Sequence, residues 1–462
     1  MILAKMRRKI RIPGLATLAV GLLAFGAAPA LGGTLEEALV LTYGGNPNLE
    51  AARAQLRAVD EGVPQALSGW RPTVRLEGST GRELRSTSTS GSATRHDTLS
   101  PLSASLRLSQ PLYRGGQTVA RTSQAENLVL AQRARLASVE QSILLRAVEA
   151  YVNVVRDQAV LELTKNNENV LTQQLTATND RFAVGEVTRT DVAQSESRLA
   201  RSRAQRIQAD GDLISSQAAY LEVVGEAPID LQPPRLPAGL PSAEAETVEG
   251  TENHPDVVSA RFVERAALDE VDVAFGQMLP SLTLNGRLTS QEDVTSANFS
   301  SNSAALTADL VVPLYQGGGV EARIRESKET VAQRRREIES QRRAASQEGV
   351  GAWQALETAR ARIVSLEAAV EATTVALEGV RQEATVGSRT VLDVLDAEQE
   401  NLDARVSLVR ARRDELLASY RVLAAIGRLT ADQLGLSTEI YDVSKHYQEV
   451  RDKAWGLGPS LE

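Results

Sequence analysis

Apolar and polar residues alternate strictly in four segments of the chain, a pattern that is typical of β-strands with two different faces. The clearest segment is Leu102 to Leu108, where every second residue is Ser or Arg. The four segments form two pairs, so they predict two β-hairpins at about 72–112 and about 280–313. A strand of about ten residues is long enough to cross a bilayer when it is tilted by about 45°.

Two much longer segments, about 115–183 and about 320–385, contain no proline and have a helical period. A straight helix of nearly 70 residues is about 100 Å long. In the second segment, small and apolar residues recur at spacings of three and four, which is the seam of a coiled coil. The positions on this seam are Ile324, Val331, Ile338, Ala345, Ala352, Leu356, Ala359, Ile363, Leu366, Val370, Leu377, Val380 and Ala384.

The two halves of the chain repeat each other. Pro111-Leu112-Tyr113 precedes the first long helical segment, and Pro313-Leu314-Tyr315 precedes the second, 202 residues later. The same offset connects Gly185 with Gly387. Before the hairpins the offset is 208, so the first copy has six extra residues, in a stretch rich in Ser, Thr and Gly. An insertion of this composition predicts an exposed loop tip around 86–92.

The repeat predicts the domain organisation. The helix before each hairpin and the helix that returns after each long one add up to the length of the long helix, so we expect two short helices stacked end to end beside it. The predicted segments are a signal peptide at 1–30, a first repeat at 31–226 (long helix about 115–183, return helix about 190–225), a Pro-rich linker at 227–253, a second repeat at 254–427 (long helix about 320–385, return helix about 390–427), and a partly disordered C-terminal segment at 428–462.

The N-terminus has the pattern of a secretory signal. Five basic residues precede an apolar run at 15–27, and Ala28-Pro29-Ala30 fits a cleavage site. A retained N-terminal anchor is the alternative. Removing these basic residues takes the net charge from −8 to −13, which argues against a nucleic-acid partner. The chain has no cysteine and three histidines far apart in sequence, so disulfides and Cys or His metal sites are not expected.

The strand count limits what one chain can do in a membrane. Four strands leave two open edges, and unpaired backbone groups in lipid each cost several kcal/mol. Bacterial barrels have at least eight strands. One chain therefore cannot close a barrel, whereas several copies can.

Taken together, the signal sequence, the duplicated hairpin-plus-helix unit, the paired Pro-Leu-Tyr-x-Gly-Gly segments and the turn from Val386 to Ala397 resemble the TolC family of outer-membrane efflux proteins. The resemblance covers about Thr34 to Leu436. It implies a mainly α fold with a small transmembrane β part, in which three chains build a trimeric α-barrel continued by a twelve-stranded β-barrel, with four strands per chain.

The same resemblance implies a function. The expected protein is a passive exit duct of a tripartite efflux pump or type I protein secretion system, located in the outer membrane, projecting into the periplasm and gated at its periplasmic end. The implied partners are two further copies of the chain, outer-membrane lipid, a periplasmic adaptor and an inner-membrane ABC or RND transporter. No enzymatic activity, cofactor, metal or nucleic-acid partner is expected, and the cargo stays open.

The resemblance also assigns site residues. Asp393 and Asp396 correspond to an acidic ring at the periplasmic aperture, and they share a helix face because they are three residues apart. Arg389 corresponds to a gate latch that is tied to Thr190 or Asp191. Gly185 and Gly387 correspond to the turn glycines. The family often has a tyrosine three residues before the second glycine, where this chain has Ala384.

Simpler interpretations stay open for each assignment. First-turn acids such as Asp393, Asp396 and Asp191 are favoured at helix N-termini by the helix dipole alone. Arg389 fits an ordinary solvated turn residue. The arginines at 334–336 and 342–343 fit either a docking patch or a solvated helix face. The alternative function is a periplasmic coiled-coil adaptor; an enzyme is disfavoured because the sequence has no nucleophile–base pair or phosphate loop.

Overall fold

The computed structural model describes residues 33–88, 90–91 and 94–458, so the predicted signal at 1–30 lies outside the described residues. Two long helices dominate the chain, and each is preceded by a strand hairpin and followed by a returning helix. The helices are α1 (Leu35–Gly45), α2 (Pro47–Asp60), α3 (Gly62–Leu67), α4 (Gln117–Ala183), α5 (Arg189–Val224), α6 (Glu244–Gly250), α7 (Pro255–Phe275), α8 (Gly319–Thr385), α9 (Val391–Ala425) and α10 (Lys445–Val450). The strands are β1 (Thr73–Thr80), β2 (Glu83–Thr87), β3 (Arg95–Leu99), β4 (Leu102–Arg114), β5 (Ser281–Glu292) and β6 (Ser300–Val311).

The two predicted hairpins lie side by side in one antiparallel sheet with the strand order β1-β4-β5-β6. The central pairing joins the two copies, with Leu106 of β4 opposite Leu288 of β5. A register shift between Pro111 and Tyr113 marks a bulge in β4. Strands β1 and β6 form the edges of this sheet. The fold is therefore mainly helical with a small β part, as the sequence predicted.

The insert in the first copy is not only a loop. Strands β2 and β3 pair in register from Glu83 opposite Leu99 to Thr87 opposite Arg95. The Arg85 guanidinium donates to the Thr295 carbonyl over 3.0 Å, which holds this ribbon against the turn between β5 and β6. The prediction of a loop tip at 86–92 was wrong for Ser86 and Thr87, which belong to β2, because Thr also suits an exposed strand. Thr89 and Ser92, in the predicted loop tip, lie outside the described residues.

Each long helix packs beside two short helices, as the helix lengths predicted. In the first copy, α4 packs beside α2 at one end and α5 at the other; in the second copy, α8 packs beside α7 and α9. The short helices meet end to end: the Asn46 side chain before α2 donates to the Val223 carbonyl at the end of α5 over 2.9 Å. In the second copy, Gly427 after α9 lies against the backbone of Asn253 before α7. Each copy is thus one long helix beside two stacked short ones.

The main hydrophobic core lies at the level where the short helices meet. Tyr151 of α4 is fully buried, and its hydroxyl lies within hydrogen-bond distance of the carbonyl oxygens of Gly33 (2.8 Å) and Gln232 (2.7 Å). Helices α1, α5 and α9 contribute Leu39, Tyr220 and Leu417 to the same cluster. A smaller cluster near the free ends of the long helices contains Leu171, Leu199, Val391 and Leu395. The core is therefore concentrated at mid-rod, with a second contact point near the turns.

The C-terminal segment, expected to be partly disordered, has defined contacts as far as Lys453. The Tyr441 backbone N–H donates to the Tyr43 hydroxyl over 3.0 Å. Nδ1 of His446 lies 3.1 Å from the buried Asp60 carboxylate. The Arg71 guanidinium donates to the Lys453 carbonyl over 2.9 Å. These long-range contacts fasten the segment to the first copy, and composition alone does not indicate them.

Candidate functional site

Both glycine turns lie at the end of the rod that is remote from the sheet, because α4 and α8 each begin at the sheet and extend about 100 Å. Gly185 and Gly387 have φ angles of +84° and +78°. In this left-handed conformation a residue with a side chain is strained, whereas glycine is not. After the second glycine, the Ser388 N–H donates to the Glu383 carbonyl over 3.0 Å. The two turns close their helices in the same way and bring the predicted site residues to one end of the chain.

Asp393 and Asp191 occupy equivalent capping positions. Oδ2 of Asp393 accepts from the Thr390 backbone N–H (2.9 Å) and from its hydroxyl (2.8 Å), and the Thr390 hydroxyl accepts from the Asp393 N–H in return. Asp191 forms the same reciprocal box with Thr188. Hydrogen bonds to these threonines lower the pKa of both carboxyls below the ordinary value of 3.8. Both side chains are therefore ionised at neutral pH, and each is part of the N-terminal cap of its helix.

Asp396 has a partner that the sequence analysis missed. Its carboxylate pairs with the Arg198 guanidinium, and 57 % of the Asp396 side chain stays exposed. This ion pair connects α9 in the second copy with α5 in the first. The two residues are far apart in sequence, so no local signal could have indicated the contact.

Within one chain, Arg389 pairs with an acid of its own turn. Its Nε donates to the Glu383 carboxylate over 2.7 Å, across the glycine turn of its own copy. Asp191 is engaged by Thr188, and Thr190 is exposed on the first turn of α5. Within one chain, the structure does not bring Arg389 to Thr190 or Asp191. Glu383 could have been suspected, since it lies just before the turn that carries the arginine.

The far end of the chain has an exposed apolar face. Along the sheet, one face presents Leu, Val and Ala, and the other presents Ser, Thr, Arg and Asn. Leu76, Leu306 and Leu310 are 78 %, 72 % and 64 % exposed. An isolated sheet with one large apolar face exposed marks a contact with lipid or with another apolar surface.

The predicted basic patch on α8 is largely neutralised within the chain, since Arg335 pairs with Glu264 over 3.0 Å and Arg342 with Glu252 over 3.4 Å. This pairing favours the solvated-face interpretation.

Across the described ranges there is no group of three or more His, Asp or Glu side chains arranged to hold a metal ion. None of the helices in those ranges is long and apolar enough to cross a membrane.

Residues 39–226 and 249–428 match the family described as outer membrane efflux protein, so the match includes both hairpins and both long helices. The outer membrane efflux protein BepC of Brucella suis biovar 1 is 34% identical over 436 residues, which cover 93% of this chain and 92% of BepC. The outer membrane protein TolC of Vibrio cholerae is 28% identical over 405 residues, or 83% of this chain and 88% of that protein.

Solved structures agree on the fold. The outer membrane channel CmeC of Campylobacter jejuni superposes with a TM-score of 0.77 at 18% identity, covering 90% of this chain and 89% of CmeC. These similarities support the channel interpretation and not the adaptor alternative, and the family consists of channel proteins rather than known enzymes. The chain belongs to the outer membrane efflux protein family, which places it in the outer membrane, as its sequence predicted.

Proposed function

We propose that three copies of this chain form a passive exit duct that crosses the outer membrane and extends through the periplasm. The observation that carries this proposal is the combination of an open-edged sheet with an exposed apolar face and two helices of 67 residues that lead away from it. The apolar face of the sheet is stable in contact with lipid, and the long helices are stable when other helices pack beside them.

Closure of the sheet supports the trimer. Strands β1 and β6 have unpaired edges in one chain, and lipid does not tolerate such edges. When β1 of one protomer pairs with β6 of the next protomer, three protomers give a barrel of twelve strands. The helices below then close into an α-barrel, with apolar and small residues of α8 at the helix contacts. The apolar face of the sheet points to lipid and the polar face to the lumen.

The acidic residues near the glycine turns serve as the gate in this proposal. Asp393 and Asp396, repeated by the three-fold axis, place carboxylates around the periplasmic mouth, where rings of Asp select cations. Their mutual repulsion favours opening. Ion pairs oppose it: Arg198 neutralises Asp396, and Arg389 lies beside Asp393 while it pairs with Glu383. The latch from Arg389 to Thr190 or Asp191 of the first repeat remains a prediction.

The partners follow from the passive nature of the duct. A channel without a nucleotide site needs an energised inner-membrane transporter, of the ABC or RND class, and a periplasmic adaptor that connects the two. The helix surface around the glycine turns is the part of the chain that reaches such partners. The cargo is determined by the transporter, whether it is a protein or a small molecule.

Single-channel conductance in planar bilayers tests the duct and its mouth. The wild type is expected to give cation-selective steps, and Asp393→Asn/Asp396→Asn is expected to lose this selectivity. Thr390→Ala is the matched control, because it removes the threonine cap of α9 without removing a carboxylate. Crosslinking in detergent measures the number of copies.

Three results bear on separate parts of the proposal. Steps of unchanged selectivity in the double variant contradict the acidic ring and leave the duct. An equal loss of selectivity in Thr390→Ala assigns the effect to the helix cap. Absence of conductance from folded, oligomeric protein, even after Arg389→Ser loosens the mouth, contradicts the duct itself.

A further inference from the structure

Three arginines lie side by side across the polar face of the sheet. Arg75 of β1 is directly opposite Arg107 of β4, and Arg107 is directly opposite Arg287 of β5. We call Arg75, Arg107 and Arg287 the arginine row. Neighbouring strands are about 4.8 Å apart, so the Cα atoms of the three arginines lie within about 10 Å along the hydrogen-bonding direction of the sheet.

The row is costly for the sheet. Like charges directly opposite on neighbouring strands destabilise their pairing. One of the three arginines has a partner, since Arg107 pairs with Glu77 over 3.1 Å. Within the described ranges, no hydrogen bond or ion pair is formed by Arg75 or Arg287, and both side chains are exposed. Two cations thus stay unpaired beside a third, which the stability of the sheet does not explain.

The duplication does not explain the row either. The residue equivalent to Arg75 in the second copy is Thr283, at the offset of 208, and the residue equivalent to Arg107 is Asp309, at the offset of 202. The arginines come into one row only because β4 and β5 pair in this register. The row is therefore a feature of the joined sheet.

The surroundings of the row suit a hydrated, negatively charged ligand. A groove of about 620 Å³ lies over it, and its other lining residues are mostly hydroxyl-bearing or small. Two acids share the groove. Glu77 is paired with Arg107, and Asp309 accepts from the Asn285 amide on the neighbouring strand. Arg75 and Arg287 are left as free donors toward the open side.

We propose that the arginine row binds anionic groups inside the barrel, with multiply charged phosphate- or carboxylate-bearing anions as the preferred class. This inference rests on the proposed function, in which the polar face lines the lumen and three copies repeat the row around it. The planar guanidinium group presents paired donors that match carboxylate and phosphate oxygens. A low-dielectric wall around the section of the lumen that carries the row raises the anion concentration locally.

Block of the open channel by inorganic tripolyphosphate, added on the barrel side of a planar bilayer at low salt, tests the row. The variant is Arg75→Gln/Arg287→Gln, which leaves the Arg107–Glu77 pair in place. We expect the half-blocking concentration to rise by about tenfold or more, since about 1.4 kcal/mol of lost interaction is a factor of ten. Raising the ionic strength is expected to weaken the wild-type block, because salt screens exposed charges.

Two further variants make the test specific. Arg75→Lys/Arg287→Lys keeps the charge and is expected to retain part of the block, whereas loss of charge in the Gln variant removes it. Arg343→Gln removes one exposed arginine from α8, outside the sheet. Tripolyphosphate is expected to block this variant at the same concentration as the wild type. The Gln variant is also expected to unfold at the same or a higher temperature, because it relieves repulsion between strands.

The possible outcomes distinguish a failure of the arginine row from a failure of the proposed duct. Absence of conductance from folded, oligomeric protein, in the wild type and after Arg389→Ser, contradicts the duct. Conductance without tripolyphosphate block, or with equal block in wild type and Gln variant, contradicts the arginine row and leaves the duct intact. Equal loss of block in Arg343→Gln shows that general surface charge, rather than the row, attracts the anion.

Discussion

The carboxylate of Asp396, in the second copy of the repeat, pairs with the guanidinium of Arg198 in the first copy. The contact joins α9 to α5 near the glycine turns. An acid that the resemblance assigned to the aperture ring is therefore paired within its own chain, whereas Asp393 is bound to the Thr390 cap.

Releasing Asp396 from Arg198 is expected to raise cation selectivity. Arg198→Gln removes the positive partner and leaves the carboxylate free at the proposed mouth. Exposed ion pairs contribute about 0.2–1 kcal/mol, so thermal stability is expected to change little. Reversal potentials in a salt gradient measure the selectivity.

Arg412→Gln is the control for this change, because it breaks an exposed pair with Glu367 between α8 and α9, away from the turns. Equal shifts in both variants indicate a general charge effect. Unchanged selectivity in Arg198→Gln shows that Asp396 does not face the conducting path.

The cap of α9 is expected to persist in mild acid. Hydrogen bonds from Thr390 lower the pKa of Asp393 below 3.8, so its stabilising effect is present above pH 3.8 and is lost as the pH falls through the lowered value. Thr390→Ala is expected to accelerate amide exchange in the first turn of α9 at pH 7. Mass spectrometry of exchanged peptides measures this local opening.

Thr188→Ala provides the comparison in the first copy, where the same cap starts α5. Each variant is expected to affect only its own helix. Faster exchange at both turns after one substitution contradicts a local cap and indicates that the two turns open together.

The C-terminal segment contacts the first repeat through the His446 imidazole, which lies against the buried Asp60 carboxylate. Removing the imidazole by His446→Ala leaves a carboxylate that is 1 % exposed without its main partner, which typically costs about 1–3 kcal/mol. Faster exchange in α10 is therefore expected at pH 7. Burial raises the pKa of Asp60, so the variant recovers stability as the pH falls through that pKa and the carboxyl becomes neutral.

Asp60→Asn in the His446→Ala background is expected to restore slow exchange at pH 7, because the amide carries no charge to desolvate. Failure of this double variant to recover shows that His446 holds α10 through packing rather than through the carboxylate.

Two glycines in α8 are expected to respond in opposite ways to alanine. A Cβ at Gly351 meets nothing within 4 Å, so Gly351→Ala gains about 1 kcal/mol of helix propensity. A Cβ at Gly349 lies 2.7 Å from Cγ2 of Thr251, whose hydroxyl is fixed by a hydrogen bond to the Val248 carbonyl. Gly349→Ala is expected to lower the unfolding temperature, and Gly351→Ala to raise it.

Circular dichroism melts of both variants measure the difference. Because they lie in the same helix, two residues apart, propensity alone predicts the same sign for both. An equal gain in the two variants contradicts close packing of α8 against the segment before α7.

The sequence by itself determined the repeat, the length of the helices, the two hairpins and the glycine turns. Each of these depends on local periodicity or on a cap within a few residues, as in the Thr390–Asp393 box, and such signals survive without knowledge of the fold. The acidic character of the turns was equally readable, since the positions of Asp393 and Asp396 follow from the motif alone.

Tertiary structure decided which of these residues meet. The Arg198–Asp396 pair, the Arg389–Glu383 pair and the fastening of the C-terminal segment through Asp60 depend on how helices approach each other, which spacing along the chain does not specify. The arginine row depends on the register of β4 against β5, and a shift of one residue would move every side chain of a strand to the other face. Periodicity therefore fixed the elements, and long-range packing and strand register fixed the chemistry between them.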